Sequence, residues 1–235
     1  MAATLYSLTL SHPGHAARLM LELKGVEHRV VDVLPGPHPL IVRALRFPRG
    51  TVPALRIDGR RVQGSREISR FLDSLRPDPP LLPSEEVVEA ERWGEEVLQP
   101  IPRRAFRWGT SRDRRLREWV ACDAGFPAPA LTSRSSFIPK RLAAISGATD
   151  EAVRSDLLQL PSLLDRVDSL IESGVIGGEQ PNAADFQIGC TVRVFLATED
   201  LRRYVEGRPC GDLAMRLLPE YPGPIPAYLP ADWLP

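Results

Sequence analysis

The sequence predicts an α/β domain followed by an all-helical domain, and three observations carry that prediction. Over residues 1–76, short β-favouring runs alternate with amphipathic stretches. The run Arg76-Pro77-Asp78-Pro79-Pro80-Leu81-Leu82-Pro83 then forbids helix continuation and forms a stiff linker over 77–83. From Ser84 to about 218 the apolar spacing is helical throughout, and the Pro-rich residues 219–235 form a tail.

The elements follow in order. Residues 3–8 form a short strand, broken by Ser11-His12-Pro13-Gly14. From Ala16, the positions Ala17, Leu19, Met20, Leu21 and Leu23 fit a helix that Gly25 ends. Residues 27–33, with Val30, Val31 and Val33, are β-branched and alternate, a second strand. Leu34-Pro35-Gly36-Pro37 turns into a short helical stretch ending near Phe47-Pro48. Strands at 54–57 and 60–63 flank Asp58-Gly59, a hairpin signal. A helix after Ser65 presents Ile68, Phe71, Leu72 and Leu75 on one face. In the second half, helices are expected over about 84–108 (interrupted at Pro100 and Pro102), 112–124, 135–146, 149–173, 183–197 and 209–218. The tail carries Tyr221, Tyr228 and Trp233 and is expected to fold back on the helices.

Composition narrows the function. Thirty basic residues balance thirty acidic ones, which argues against a dedicated nucleic-acid binder. Cys122, Cys190 and Cys210 are three and widely spaced, neither a disulfide framework nor a zinc site. No apolar run approaches the ~18 residues of a membrane span, and no signal peptide is visible, so a cytoplasmic location is expected.

The densest signal is Gly50-Thr51-Val52-Pro53-Ala54-Leu55, then Gly64-Ser65-Arg66-Glu67-Ile68. A proline between β-favouring runs belongs at an edge, at a strand's first residue or in a cis turn, and a cis Val52–Pro53 bond is expected. Ser65 is expected to cap the helix that follows, where a hydroxyl and free N–H groups can hold a carboxylate. Such a site could grip the main chain of a small peptide.

These residues resemble the thioredoxin-like domain of the glutathione transferase superfamily, where a Val-Pro dipeptide and an acidic-Ser pair hold glutathione. Thr4-Leu5-Tyr6, Ser11 and the helix Arg18 to Val26 are similar to the family opening, with Ser11 at the spacing of serine- and cysteine-type members. Pro181-Asn182-Ala183-Ala184-Asp185-Phe186 resembles the capping signature of a family helix, and Asn182 with Asp185 can close a capping box. The resemblance implies an enzyme that joins glutathione, or another low-molecular-weight thiol, to an electrophilic small molecule. It implies Ser11 as the thiol's activator and Val52, Pro53, Gly64 and Ser65 as its binding residues. Glutathione would be a co-substrate, with no metal, and the protein a homodimer. One departure is Gly64, which stands where the family carries Glu, Asp or Gln. Strand alternation turns Gln63 to the other face. Thiol-dependent isomerisation, dehalogenation or peroxide reduction on the same fold is the alternative, as is a binding module that has lost the thiol site.

Ser11 can also be read as a helix cap alone, with Pro13 in the first turn. Tyr6 lies one residue out of register for the family's strand tyrosine and reads as core. His12 and His15 flank the same loop, as outer donors or solvated side chains. On the helical side, Arg104 and Trp108 are the candidates for an electrophile pocket, from a run that also contains Trp93, Arg103, Phe106 and Arg107.

Overall fold

The computed structural model describes residues 3–235. Its first half is β1 (Ala3–Ser7), α1 (His12–Leu23), β2 (His28–Asp32), α2 (His38–Ala44), β3 (Ala54–Ile57), β4 (Arg60–Gln63) and α3 (Ser65–Leu75). The sheet order is β2-β1-β3-β4. β1 runs parallel to β2 and antiparallel to β3, and β3 pairs antiparallel with β4. The α1 crossover links the parallel pair and the Asp58-Gly59 turn links the hairpin, which is the thioredoxin-like arrangement expected from the sequence.

Both sheet faces are covered. Leu5, Leu55 and Ile57 pack with Ala17, Met20 and Leu21 of α1 and Ile68 and Leu72 of α3. Tyr6 and Ala54 pack on the opposite face with Val42 and Phe47, so Tyr6 is core, in an edge-on contact with the Phe47 ring. α1 begins four residues earlier than the apolar pattern suggested, because Ser11 caps it and Pro13 fits its first turn. Gly14 is required there: a Cβ would collide with the Ser7 Oγ at the end of β1.

The 77–83 stretch is held by the buried Lys24, whose ammonium meets Asp73 at 2.6 Å and donates to the Arg76 carbonyl. Asp73 also accepts from the N–H groups of Leu81 and Leu82. Beyond it lie α4 (Glu85–Trp93), a π-helical turn (Gly94–Leu98), α5 (Pro100–Arg112), α6 (Arg114–Asp123), α7 (Pro129–Thr132), α8 (Phe137–Ile145), α9 (Asp150–Glu172), α10 (Ala183–Ala197), α11 (Glu199–Arg202) and α12 (Pro209–Leu217). The prolines at 100 and 102 do not break the run. They lie in the first turn of α5, where a missing N–H costs least, and the π turn absorbs the join.

α10 is buried on nearly every side and runs through the middle of the molecule. Asn182 and Asp185 form the expected capping box. Phe186 and Cys190 of α10 enter the core beneath α1, so the two halves share one packed seam. The tail folds back: the Tyr221 hydroxyl donates to the Leu10 carbonyl at 2.7 Å, and Asp200 accepts from the N–H groups of Tyr228 and Leu229. Among the described residues, no helix is long and apolar enough to cross a membrane.

Candidate active site

A cleft of about 650 Å³ opens between the first half and the helices. Its first wall is the end of β1 with the start of α1, the approach to β3, and the start of α3. Its second wall is α5, α6 and α8, and Tyr221 of the tail closes one side.

Ser11, Val52, Pro53, Gly64 and Ser65 all line this cleft. The Val52–Pro53 bond is cis, as expected. The Pro53 carbonyl accepts from the Gly64 N–H at 3.0 Å, tying the proline turn to the start of α3. Gln63 faces away, as strand alternation requires. Its side-chain amide donates to the carbonyls of Arg49 and Thr51 and accepts from the Arg49 N–H, fixing the loop that leads into Val52.

Ser11 caps α1: its Oγ accepts from the Gly14 N–H at 3.2 Å. A cap uses a lone pair and leaves the hydroxyl proton free. Ser11 can therefore cap the helix and donate into the cleft at once, so its two readings are compatible. The N-terminus of α1 adds partial positive charge at the same place.

Ser65 corrects the sequence reading. It is not the cap of α3 but its first helical residue; the cap position is Gly64, with no side-chain bond. The Ser65 Oγ is buried and has no hydrogen-bond partner, a donor left open beside a helix N-terminus on the cleft. Gly64 has φ 108° and ψ 147°, a conformation open almost only to glycine. A Cβ there would collide with Oε2 of Glu67, which also lines the cleft. Glu67, one helical turn after Gly64, thus brings a carboxylate to the cleft, with the Arg49 guanidinium 3.1 Å from it. Sequence reading missed Glu67, although the first-turn acid of a helix was a visible signal.

On the second wall, Arg104 and Trp108 are not in the cleft. Arg104 turns to α9, where its Nη1 meets both Asp156 oxygens at 2.6 Å. Trp108 is core: its indole N–H donates to Asp150 at 2.8 Å and its ring packs on Trp233. The cleft is faced instead by Arg103, Phe106, Arg107 and Thr110. The helix phase decides this: Ile101, Ala105 and Trp108 are buried in the helical core, which turns 103, 106, 107 and 110 outward.

His12 is buried at the start of α1 with its Nδ1 3.1 Å from the Thr191 Oγ1 of α10. Thr191 itself donates to the Gln187 carbonyl, so the His12 Nδ1–H is the donor. Burial, then the nearby Arg103 and His15 charges, hold its pKa well below the usual imidazole range. His15 is not solvated either: its Nε2 donates to the Thr9 carbonyl at 2.8 Å and its ring meets Tyr221 edge-on. Among the described residues, no group of His, Cys, Asp and Glu could hold a metal ion.

Residues 5–80 match the family model of the glutathione S-transferase N-terminal domain. This domain belongs to the glutathione S-transferase family. Over 84 residues, covering 34% of this chain, the sequence is 40% identical to glutathione S-transferase Z2 of Arabidopsis thaliana, and the match spans 37% of that relative. The fold is similar along nearly the whole chain to a glutathione S-transferase of Methylobacterium radiotolerans solved with glutathione sulfonate. That likeness has TM-score 0.58 and 22% identity, over 92% of this chain and 90% of the other. It is similar also to the beta-etherase LigF of a Sphingobium species, with TM-score 0.60 and 20% identity over 95% and 97% of the two chains. FzlA of C. crescentus aligns with TM-score 0.57 and 19% identity, over 99% and 98%.

Proposed function

We propose that this protein binds glutathione, or another low-molecular-weight thiol, in the cleft and joins it through its sulfur to an electrophilic small molecule. The observation that carries this reading is the convergence of Ser11, the cis Val52–Pro53 turn, the unpartnered Ser65 hydroxyl and Glu67 on one cleft. Val52 offers its backbone to the peptide, and Ser65 with the N-terminus of α3 takes a carboxylate. Glu67 accepts from the α-ammonium group, replacing the acid that Gly64 lacks.

The chemistry requires a thiolate near neutral pH, from a thiol of pKa about 8.5. The Ser11 hydroxyl donates to the sulfur and the start of α1 supplies favourable potential, so the thiolate is stabilised over the thiol. The sulfur then forms a bond to the electrophilic carbon, and the leaving group departs with the bonding electrons. Ser11 is a donor here, never the nucleophile. Peroxide reduction by a protein sulfur in the cleft is disfavoured: serine stands at position 11, and Cys122, though exposed, is not among the residues that line the cleft. Cys190 and Cys210 are buried, and burial pushes both thiols up to about 12.

The test is turnover of glutathione with a chlorodinitrobenzene electrophile, together with the ultraviolet titration of the bound thiol. The reading expects saturable turnover and a bound thiol pKa below that of free glutathione. Absence of both would leave a binding module. The reading includes a homodimer in which the first half of one copy meets the helices of the other; sedimentation as a monomer at micromolar concentration would remove it.

A further inference from the structure

The second wall carries two guanidinium groups that, among the described residues, form no ion pair. Arg103 and Arg107 stand one turn apart on α5 and both face the cleft. The other arginines of the region are engaged. Arg49 meets Glu67, Arg117 donates to the carbonyls of Ser133 and Thr110, and Arg104 and Arg112 pair with Asp156 and Asp150. Among the described residues, the guanidinium groups of Arg103 and Arg107 have no hydrogen bond or ion pair, though the Arg107 carbonyl accepts from the Thr110 hydroxyl.

The surroundings make these charges costly. The exposed surface of Arg103 looks into the cleft, whose walls crowd it, and this desolvation lowers its pKa. The same crowding, with the like charge of Arg103, brings Arg107 to about 10, so it stays cationic at neutral pH. Beside Arg107, His38 has a buried Nδ1 with no partner, and burial followed by the Arg107 charge lowers it to about 4. His38 is therefore a neutral, unspent polar group at the same place. The nearby acids do not answer the two cations. Glu95 is near Arg103 but pairs with Arg66 at 3.3 Å, and Asp123 feels burial and then Asp32, not either arginine. Two unpaired like charges one turn apart are unfavourable unless an anion joins them. Arg103 also lies near enough to His12 to depress its pKa, and Ser11, His12 and both arginines line the same cleft.

We propose that Arg103 and Arg107, with His38, form an anion subsite for the second substrate, and that this substrate is an electrophile bearing a carboxylate. The inference rests on the glutathione-transfer reading and names its substrate class. The thiolate sulfur bonds to the electrophilic carbon and a halide leaves with the electron pair. The thiol proton passes to solvent, while the carboxylate stays on the arginines unchanged.

The experiment compares 4-chloro-3-nitrobenzoate with the neutral 4-chloro-3-nitrobenzamide, in the parent protein and in Arg103→Gln and Arg107→Gln. The parent should favour the benzoate in kcat/KM by about 10-fold, and each variant should bring that ratio to near one, as expected for one charged hydrogen bond. The KM for glutathione is measured in the same assays. Where neither compound turns over, their ready-made glutathione conjugates are titrated by calorimetry, and the carboxylate conjugate should bind tighter in the parent only. Parity of the two compounds in the parent would overturn the subsite, as would a loss appearing equally with both. A loss confined to the glutathione KM would also overturn it, since the arginines would then hold the thiol peptide. These failures leave glutathione binding intact. Failure of the parent to bind glutathione at all would instead remove the underlying reading, and this inference with it.

Discussion

The two walls of the cleft are built by different means. The first is made mainly of backbone: a cis proline turn, a glycine at φ 108° and the starts of two helices, with the Ser11 and Ser65 hydroxyls and the Glu67 carboxylate added to it. The second is made of long side chains projecting from α5, α6 and α8. A wall built mainly of backbone suits a constant ligand, because most of its donors and acceptors are not altered by changing a side chain. A side-chain wall suits a variable one. The reading that the first wall holds the thiol and the second selects the electrophile follows from that contrast.

The comparison can be broken at the first wall most forcefully through Gly64. Gly64→Ala places a Cβ against Glu67 in a conformation that L-residues avoid. The expected cost is about 2 kcal/mol, a melting temperature lower by about 4–8 °C, with weakened glutathione binding. An unchanged melting curve would show that the α3 start relaxes freely.

Ser11→Ala should raise the pKa of the bound thiol by about 1 unit and slow turnover at pH 7 by about 10-fold, with little change in glutathione affinity. Thiol pKa and rate both unchanged in an active variant would reduce Ser11 to its capping role.

The second wall is sharpened by Arg104→Gln, which strips the partner from the largely buried Asp156. Because Arg104 keeps some contact with water, the expected loss is about 1–2 kcal/mol of stability, read by denaturant unfolding. Selectivity between electrophiles should not move, since Arg104 is outside the cleft. A change in selectivity would contradict that placement.

Smaller still is the pH dependence. His12, His15 and His38 all have lowered pKa values, chiefly through burial. The unfolded chain therefore binds more protons below its own imidazole pKa of about 6.5, and stability should fall as pH drops from about 6.5 toward 5. Glu91, raised by burial, acts with the opposite sign from about pH 4.5 upward. Comparing the parent with His12→Asn isolates the imidazole part: the variant should lose less stability on acidification. An equal loss would mean that His12 is not held neutral.

The same contrast explains what the sequence made legible. Val52-Pro53, Asp58-Gly59 and the Asn182–Asp185 box are local signals, each fixed by the chemistry of two to four neighbouring residues, and each appears where expected. Ser65 was misplaced by one position, because Gly64 can take the cap conformation that serine was expected to hold. Glu67 escaped notice because its role depends on the space above Gly64, a property of three dimensions. Arg104 and Trp108 were chosen from the correct helix at the wrong phase. The phase depends on how α5 docks on α9 after the π turn, and no spacing within α5 states that. The short α7 and α11 were missed because four residues carry no periodicity.

The central claim is that the first wall holds glutathione through Ser65 and Glu67, and calorimetric titration of glutathione near neutral pH tests it most directly. The account predicts one saturable site in the parent, weakened about 5–10-fold in Ser65→Ala and in Glu67→Gln, losses of the size of one hydrogen bond. Ser65→Ala should leave stability within about 0.5 kcal/mol of the parent, because its hydroxyl caps nothing. No saturable heat in the parent, or equal affinity in all three proteins, would contradict the account.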